Sequence, residues 1–248
     1  MKVQITLDGS RDYGTPIIFH SEVLADPLSP QARTLAELSK KRGRTEADEI
    51  EMARREWVGG MYFDDAIGPV LPTWNIVRSI QDGARMTKHG KAVERGVFPE
   101  VEHVALDYDG PRDLDTLWKD GRFAIRKGVK LAGRRVIRTR PIFHGWKASA
   151  TLVIDPNVID FPLFCQVCNA AGRYHGIGDF RSGRYGRYVP SVLLLDDNSD
   201  LVGVMDDATL RRDRETTDVL IGAAASATVE HLAKNVRGGG RNGRNGKH

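Results

Sequence analysis

Residues 172–188 read GRYHGIGDFRSGRYGRY, and this run constrains the chain more than any other stretch. It holds five glycines, the arginines Arg173, Arg181, Arg184 and Arg187, and the aromatic residues Tyr174, Phe180, Tyr185 and Tyr188, with Asp179 as its single acid. Glycine lets a backbone approach a ligand closely and turn its N–H groups outward, which makes anion-binding concavities. Arginine forks match phosphate oxygens and stack on bases, and aromatic rings are platforms for unpaired bases. The run reads either as a surface for a nucleic-acid strand or as a tight helix-to-strand connection whose arginines only solvate it.

Charge distribution bears on that choice. The net charge is +4, but counting Lys and Arg against Asp and Glu, residues 1–109 carry 14 against 18 and residues 110–190 carry 15 against 6. Residues 191–236 carry 4 against 9, and residues 237–248 carry 4 against 0. A basic centre between two acidic segments is a footprint of polyanion binding, without distinguishing RNA from DNA. At 248 residues the chain has room for one sizeable core or one domain with insertions. No apolar run approaches the ~18 residues of a membrane span, and the start MKVQITLDGS reads as a strand rather than a signal-peptide core. Two cysteines make no disulfide framework. A cytoplasmic protein without a membrane partner is expected.

Residues 2–7 alternate polar and apolar, the period of a half-buried strand. Residues 28–57 have helical spacing at Leu35, Leu38, Ile50 and Ala53, interrupted by the basic loop Lys40-Lys41-Arg42-Gly43-Arg44. A turn or small hairpin is expected near Gly68-Pro69, then a helix opening at Pro72 and running to residue 88. Strands are expected at 103–108, 123–131, 135–141, 148–154 and 188–195, with a helical turn at 114–120 and a helix at 158–171 stopped by Gly172. Strands 135–141 and 148–154, six residues apart across Gly145, read as a hairpin. Insertions aside, the order is β–α–β–β–α–β, so the expected class is α+β with a ferredoxin-like, split βαβ core over residues 1–195 and a long insertion over 9–70. Residues 196–236 read as an acidic, partly helical extension. Residues 237–248, RGGGRNGRNGKH, read as a disordered strand-binding arm or as a solubilising tail.

With the glycine run placed between the last helix and the last strand, Gly176-Ile177-Gly178-Asp179-Phe180-Arg181 and Gly183-Arg184-Tyr185-Gly186-Arg187 resemble the glycine-rich loop of the RAMP superfamily. These are the RNA-binding backbone and processing subunits of CRISPR effector complexes. The chain is also similar to a set of phage and prophage proteins over roughly residues 15–190, through Leu24-Ala25-Asp26-Pro27, Trp57-Val58-Gly59-Gly60-Met61-Tyr62, Arg138-Thr139-Arg140-Pro141 and the loop. The resemblance implies a protein of the bacterial host cytoplasm that self-associates, lining up in several copies along a strand with its 26–60 region reaching a neighbour. No second ferredoxin-like repeat is visible, and the acidic extension with its Arg/Gly tail belongs to neither pattern.

Processing members of that superfamily resemble metal-independent ribonucleases, which makes His20, His144 and His175 candidates for acid/base chemistry. His175 lies inside the loop. Asp26 falls in the long insertion, where strand-cutting backbone subunits hold an acid, and equally reads as a turn residue. Cys165 and Cys168 share one side of a helix, but no second pair completes a zinc site, and they read as buried small apolar residues. GxxxxGK[ST] has no match, and the glycines follow a helix rather than opening one, so neither a P-loop nor a dinucleotide fingerprint is present. Trp57, Trp74 and Trp118 read as core; Phe143 and Trp146 read as core or as stacking residues. Arg134, Arg135, Arg138 and Arg140 accompany the expected hairpin; in a strand Arg138 and Arg140 share one face, and Arg135 and Thr139 the other.

The expected function is non-enzymatic binding of single-stranded RNA or DNA, with no cofactor and no metal. Loop amides at Gly176 and Gly178 with Arg181, Arg184 and Arg187 would hold phosphates, Tyr174, Phe180 and Tyr185 would stack, and Arg138 and Arg140 would add charge. The alternatives are a metal-independent endoribonuclease, with His175 and Asp26 as its candidate catalytic residues, and a phage structural or assembly protein.

Overall fold

The computed structural model describes residues 1–131 and 133–195 and the strand Leu201–Met205. The remainder of the acidic extension and the Arg/Gly tail lie outside the described residues. In chain order the elements are β1 (Lys2–Asp8), β2 (Ile17–Ile18), α1 (Pro30–Lys40), α2 (Glu46–Gly60), β3 (Phe63–Asp64), β4 (Gly68–Pro72), α3 (Thr73–Arg85), α4 (Gly90–Gly96), β5 (Val97–Pro99), β6 (His103–Ala105), α5 (Leu114–Asp120), β7 (Ala124–Leu131), β8 (Arg134–Phe143), β9 (Lys147–Ile154), α6 (Phe161–Ala170), β10 (Val189–Leu195) and β11 (Leu201–Met205). Among the described residues this is a mixed α+β fold of six α-helices and three small antiparallel sheets.

The main sheet has the order β11-β10-β1-β9-β5. Its register matches buried positions across strands: Ile5 lies opposite Val192 and Ala150, and Val97 opposite Ile154. Val3, Ile5, Leu7, Leu152 and Ile154 are buried, while Lys2, Gln4, Thr6 and Thr151 on the other face are only partly covered. One face of the sheet therefore carries the core, as the alternation in β1 requires. Helix α3 contributes Ile76, Val77, Ile80 and Ala84 to the buried interior, and α6 contributes Phe164, Cys165, Val167 and Cys168. At the close approach of α3 to the end of α6, a side chain on Gly83 would sit 2.5 Å from the Ala171 amide nitrogen.

The expected hairpin between residues 135–141 and 148–154 does not form. β8 pairs with β7, with Arg126 opposite Thr139 and Val129 opposite Val136, while β9 pairs with β1 and β5. The cause is the burial match: Ala148, Ala150, Leu152 and Ile154 form an unbroken apolar face that fits β1. Gly145, at φ +59, turns the chain from one sheet to the other, and the fully buried Trp146 anchors the turn by donating its indole N–H to the Thr15 carbonyl at 2.8 Å.

The 9–70 region supplies α1 and α2, divided as expected by the basic loop, with Thr45 and Asp48 forming a reciprocal capping box at the start of α2. Trp57 is fully buried and donates to the Phe123 carbonyl at 2.7 Å, tying α2 to the start of the β7–β8 ribbon. Phe143 and Trp146 are core. Trp74 is not: its side of α3 faces outward and the residue is 57% exposed. No helix among the described residues is long and apolar enough to cross a membrane.

Candidate nucleic-acid interface

Gly172 does not end the preceding helix. The helical path continues through Ala171–His175 as one wider turn and stops at Gly176, whose φ is +73. From there the chain is stitched to itself and to residues 15–18. Ile177 N–H donates to the Gly186 carbonyl, Gly186 N–H to Pro16 and Asp179 N–H to Ile18, each at 2.8 Å. The Thr15 hydroxyl accepts the Arg187 N–H at 2.9 Å and donates to the Arg184 carbonyl at 2.8 Å. Of the two glycine amides expected to face a ligand, the Gly176 N–H is instead taken by the Ala171 carbonyl at 2.8 Å. The glycines are there because backbone passes against backbone. A Cβ on Gly186 would lie 1.7 Å from the Ile177 oxygen, and one on Gly178 2.5 Å from the Ile18 oxygen. Ser79 of α3 locks the loop from below, donating to the Gly176 carbonyl at 2.9 Å and meeting the buried Tyr188 hydroxyl at 3.0 Å.

With the Gly176, Ile177, Asp179 and Gly186 amides used internally, the loop's ligand-facing chemistry rests largely on its side chains. Phe180 and Arg184 both hold left-handed backbone conformations, at φ +53 and +66. Such residues cost on the order of 1–2 kcal/mol each and are typical of sites where side-chain direction matters. The Phe180 and Tyr185 ring centroids are 6.0 Å apart, and the Lys127 ammonium lies 5.4 Å from the Tyr185 ring. Tyr174 is half exposed beside Arg173.

Two clefts flank the ridge formed by Gly178, Asp179 and Arg181. The larger, about 580 Å³, is lined by Asp82, Tyr174, His175, Phe180, Arg181 and Arg187. In it the buried Asp82 carboxylate receives Arg181 at 2.9 Å and Arg85 at 2.7 Å, with Arg78 at 3.5 Å. Three guanidinium groups around one carboxylate leave an excess of positive charge at the cleft wall. Arg187 adds to it: its Nη1 is buried and has no hydrogen-bond partner. Burial, then Arg184 and Arg181, push the Arg187 pKa below the ordinary guanidinium value. His175 is held below the usual imidazole range chiefly by burial, with Asp82 opposing and Arg181, Arg187 and Arg85 reinforcing.

The smaller cleft, about 190 Å³, is lined by His20, Tyr62, Asn75, Arg78, Ser79 and Asp179 together with Arg181. His20 Nδ1 lies 3.4 Å from Asp179 Oδ2, and its Nε2 lies 3.2 Å from Arg140 Nη2. A guanidinium can only donate, so Nε2 accepts and the proton sits on Nδ1, toward Asp179. Burial and Arg140 keep the ring's pKa below its usual value, against the pull of Asp179.

The structure thus brings together Arg181, Arg187, Tyr174, Phe180 and His175, sets Arg184 and Tyr185 at the loop's surface, and joins Arg140 to the site through Asp179 at 3.5 Å. Arg138 is instead engaged by the buried Glu56 of α2, which also accepts the Thr139 N–H at 2.9 Å. Asp26 accepts the Leu28 N–H at 2.9 Å in an exposed turn, and His144 lines a different cleft with Asp109 and Arg122. Cys165 and Cys168 are buried; burial pushes the Cys165 thiol up to about 12 and Cys168 well above the ordinary range, so neither is a ready thiolate. No group of three or more His, Cys, Asp or Glu side chains among the described residues is arranged to hold a metal ion. Sequence reasoning missed Arg78, Asp82 and Arg85, although their i, i+4, i+7 spacing on a helix was a usable signal that they share a face. No protein-family model matches the chain, and no curated protein matches it either.

Proposed function

We propose that this chain binds single-stranded nucleic acid, RNA or DNA, seating phosphates in the two clefts and bases on the aromatic side chains around them. In this reading it is a RAMP-like protein of the bacterial cytoplasm that assembles in several copies along a strand. The observation that carries the proposal is Arg187 Nη1, a buried cationic donor without a partner in a cleft already lined by Arg181 and His175. A phosphate oxygen is the ligand that such a group lacks. The neighbouring Tyr174 and Phe180 rings favour a strand with accessible bases over a bare anion. The strand order β10-β1-β9-β5, with α3 between β1 and β5 in the chain and α6 between β9 and β10, supports a ferredoxin-like core.

The test is fluorescence anisotropy of labelled oligo(dT) and oligo(U) across a salt series. If Arg78, Arg181, Arg184 and Arg187 each meet a phosphate, about four contacts give a log–log salt slope near −3 and about a 50-fold loss of affinity between 50 and 200 mM salt. Arg187→Gln should weaken binding and make the slope shallower by roughly 0.7. Absence of binding at low salt, or a flat slope, overturns the proposal. Metal-independent RNA cleavage is a second reading, favoured by one observation: the Asp179–His20 contact fixes the tautomer of His20, and a phosphate that draws Arg140 away frees Nε2 to act as a base. Labelled RNA left intact by the protein in EDTA rules it out.

A further inference from the structure

We infer that Trp74 is a base-stacking platform at the far end of the strand's track, and that the outer face of α3 carries the strand there from the glycine loop. This rests on the nucleic-acid reading above and adds a contact residue that lies outside the loop.

Trp74, Arg78, Asp82 and Arg85 are spaced i, i+4, i+8, i+11, so they form one stripe along α3. At 1.5 Å per residue the stripe runs about 16 Å along the helix. The opposite side of α3 is buried through Ile76, Val77, Ile80 and Ala84, which turns the stripe to solvent. The Arg78 and Arg85 side chains are more than half exposed even though Asp82 between them is nearly covered. Asp82 fastens the stripe to the loop through Arg181, and Arg78 with Asn75 forms the α3 wall of the smaller cleft. The stripe and the clefts are therefore one continuous surface.

Trp74 stands at its end with 57% of the residue accessible, one helical turn from Arg78. An indole is costly to leave in water unless a partner covers it, because it exposes more apolar area than any other side chain. The charge beside it selects the partner. Arg78 lies about one turn along the stripe and Arg85 about three turns along it, whereas the acid of the stripe, Asp82, is already shared among three arginines. A phosphate on Arg78 places the adjoining base about one helical turn away, over Trp74. Stacking of this kind tolerates any base, so the site contributes affinity and register rather than sequence preference.

The full chain provides its own reporter. Trp57 and Trp146 are fully buried and Trp118 is half-buried against Trp57, so Trp74 is the most exposed of the four indoles. Trp74→Phe assigns the part of any emission change on adding oligo(dT) that comes from it. Binding of oligo(dT) should quench the emission and shield it from acrylamide, and Trp74→Phe should lose this response while keeping affinity within about threefold. Trp74→Ala should bind about tenfold or more weakly with an unchanged salt slope, while Arg78→Gln should weaken binding and make the slope shallower by roughly 0.7. Both positions are exposed, so melting temperatures should match the parent protein, which separates loss of contact from loss of fold. If oligo(dT) binds and Trp74 stays open to acrylamide, or Trp74→Ala binds like the parent, the inference falls and the nucleic-acid reading survives. If Trp74→Ala instead breaks self-association and leaves strand binding intact, the indole is a protein anchor and the inference falls. If no oligonucleotide binds, both fall together.

Discussion

Substituting Gly186 by alanine separates two accounts of the glycine loop. If the glycines admit a ligand, Gly186→Ala should leave the fold intact and abolish binding. If they allow backbone to pass against backbone, the fold itself should suffer. Gly186 has φ +70, where an L side chain costs about 1–2 kcal/mol. Its new Cβ would lie 1.7 Å from the Ile177 oxygen, so the two chain segments must separate. That separation breaks the Ile177-to-Gly186 and Gly186-to-Pro16 hydrogen bonds, both 2.8 Å, in a buried stretch. At about 1 kcal/mol each, rising when a buried partner is left unpaired, the total is roughly 3–6 kcal/mol. Gly145→Ala is the control: its φ is +59 but nothing lies within 4 Å of the added carbon, so only the conformational cost of about 1–2 kcal/mol applies. Urea unfolding followed by tryptophan emission measures both, and thermal melting should show a drop on the order of 10 °C for Gly186→Ala. The packing account is refuted if the two variants agree within about 1 kcal/mol, or if Gly186→Ala keeps parental stability and loses only oligonucleotide binding.

Further outcomes follow from the ion pairs and the histidines. Glu56→Gln removes the charge that engages Arg138 while keeping an acceptor for the Thr139 N–H, so it should cost roughly 1–3 kcal/mol in urea unfolding; Arg138→Gln should leave the salt slope of oligonucleotide binding unchanged, because Arg138 is already neutralised. The pKa values of His20 and His175 are held below the unfolded-chain value in the native state, so the unfolded chain takes up more protons as pH falls. Their contribution to stability is complete above about pH 6.5 and is lost as pH drops from there toward their native values; the urea midpoint should decline over that interval, and His20→Asn with His175→Asn should flatten the decline. Strand binding should strengthen over the same interval, as His175 gains a proton beside Arg181 and Arg187.

Elements whose periodicity stands alone were legible in the sequence. β1 shows it through Val3, Ile5 and Leu7, and β9, α3 and β10 were placed within a few residues. Pairing was not legible, because proximity in sequence favours β8 with β9, whereas the uninterrupted buried face of β9 matches β1, more than a hundred residues away. The fates of Arg138 and Arg181 were hidden for a related reason. Their acids, Glu56 and Asp82, come from the acidic 1–109 segment, so charge counted by segment overstates how much of the basic centre is available. Trp74 was misread on residue type alone, though counting turns from Arg78 would have placed it on the polar side of α3. The composition of the loop identified its side chains as a group, but no composition distinguishes an amide that faces a ligand from one that faces the chain's own carbonyl.

The Thr15 hydroxyl joins residues 169 and 172 positions apart when it meets Arg184 and Arg187. Contacts of that span carry a large loop-closure entropy and form late in folding, after shorter-range pairings such as the β7–β8 ribbon. During synthesis the 9–70 region leaves the ribosome well before Arg187 exists to be bonded, so the clefts cannot assemble on a partial chain. Under the proposed function, a polyanion would meet scattered arginines on the nascent protein and a shaped site only on the finished one. Once that site is formed, any strand that requires the stitched loop draws on the stability of the whole unit, and its binding lowers the population of every opened form.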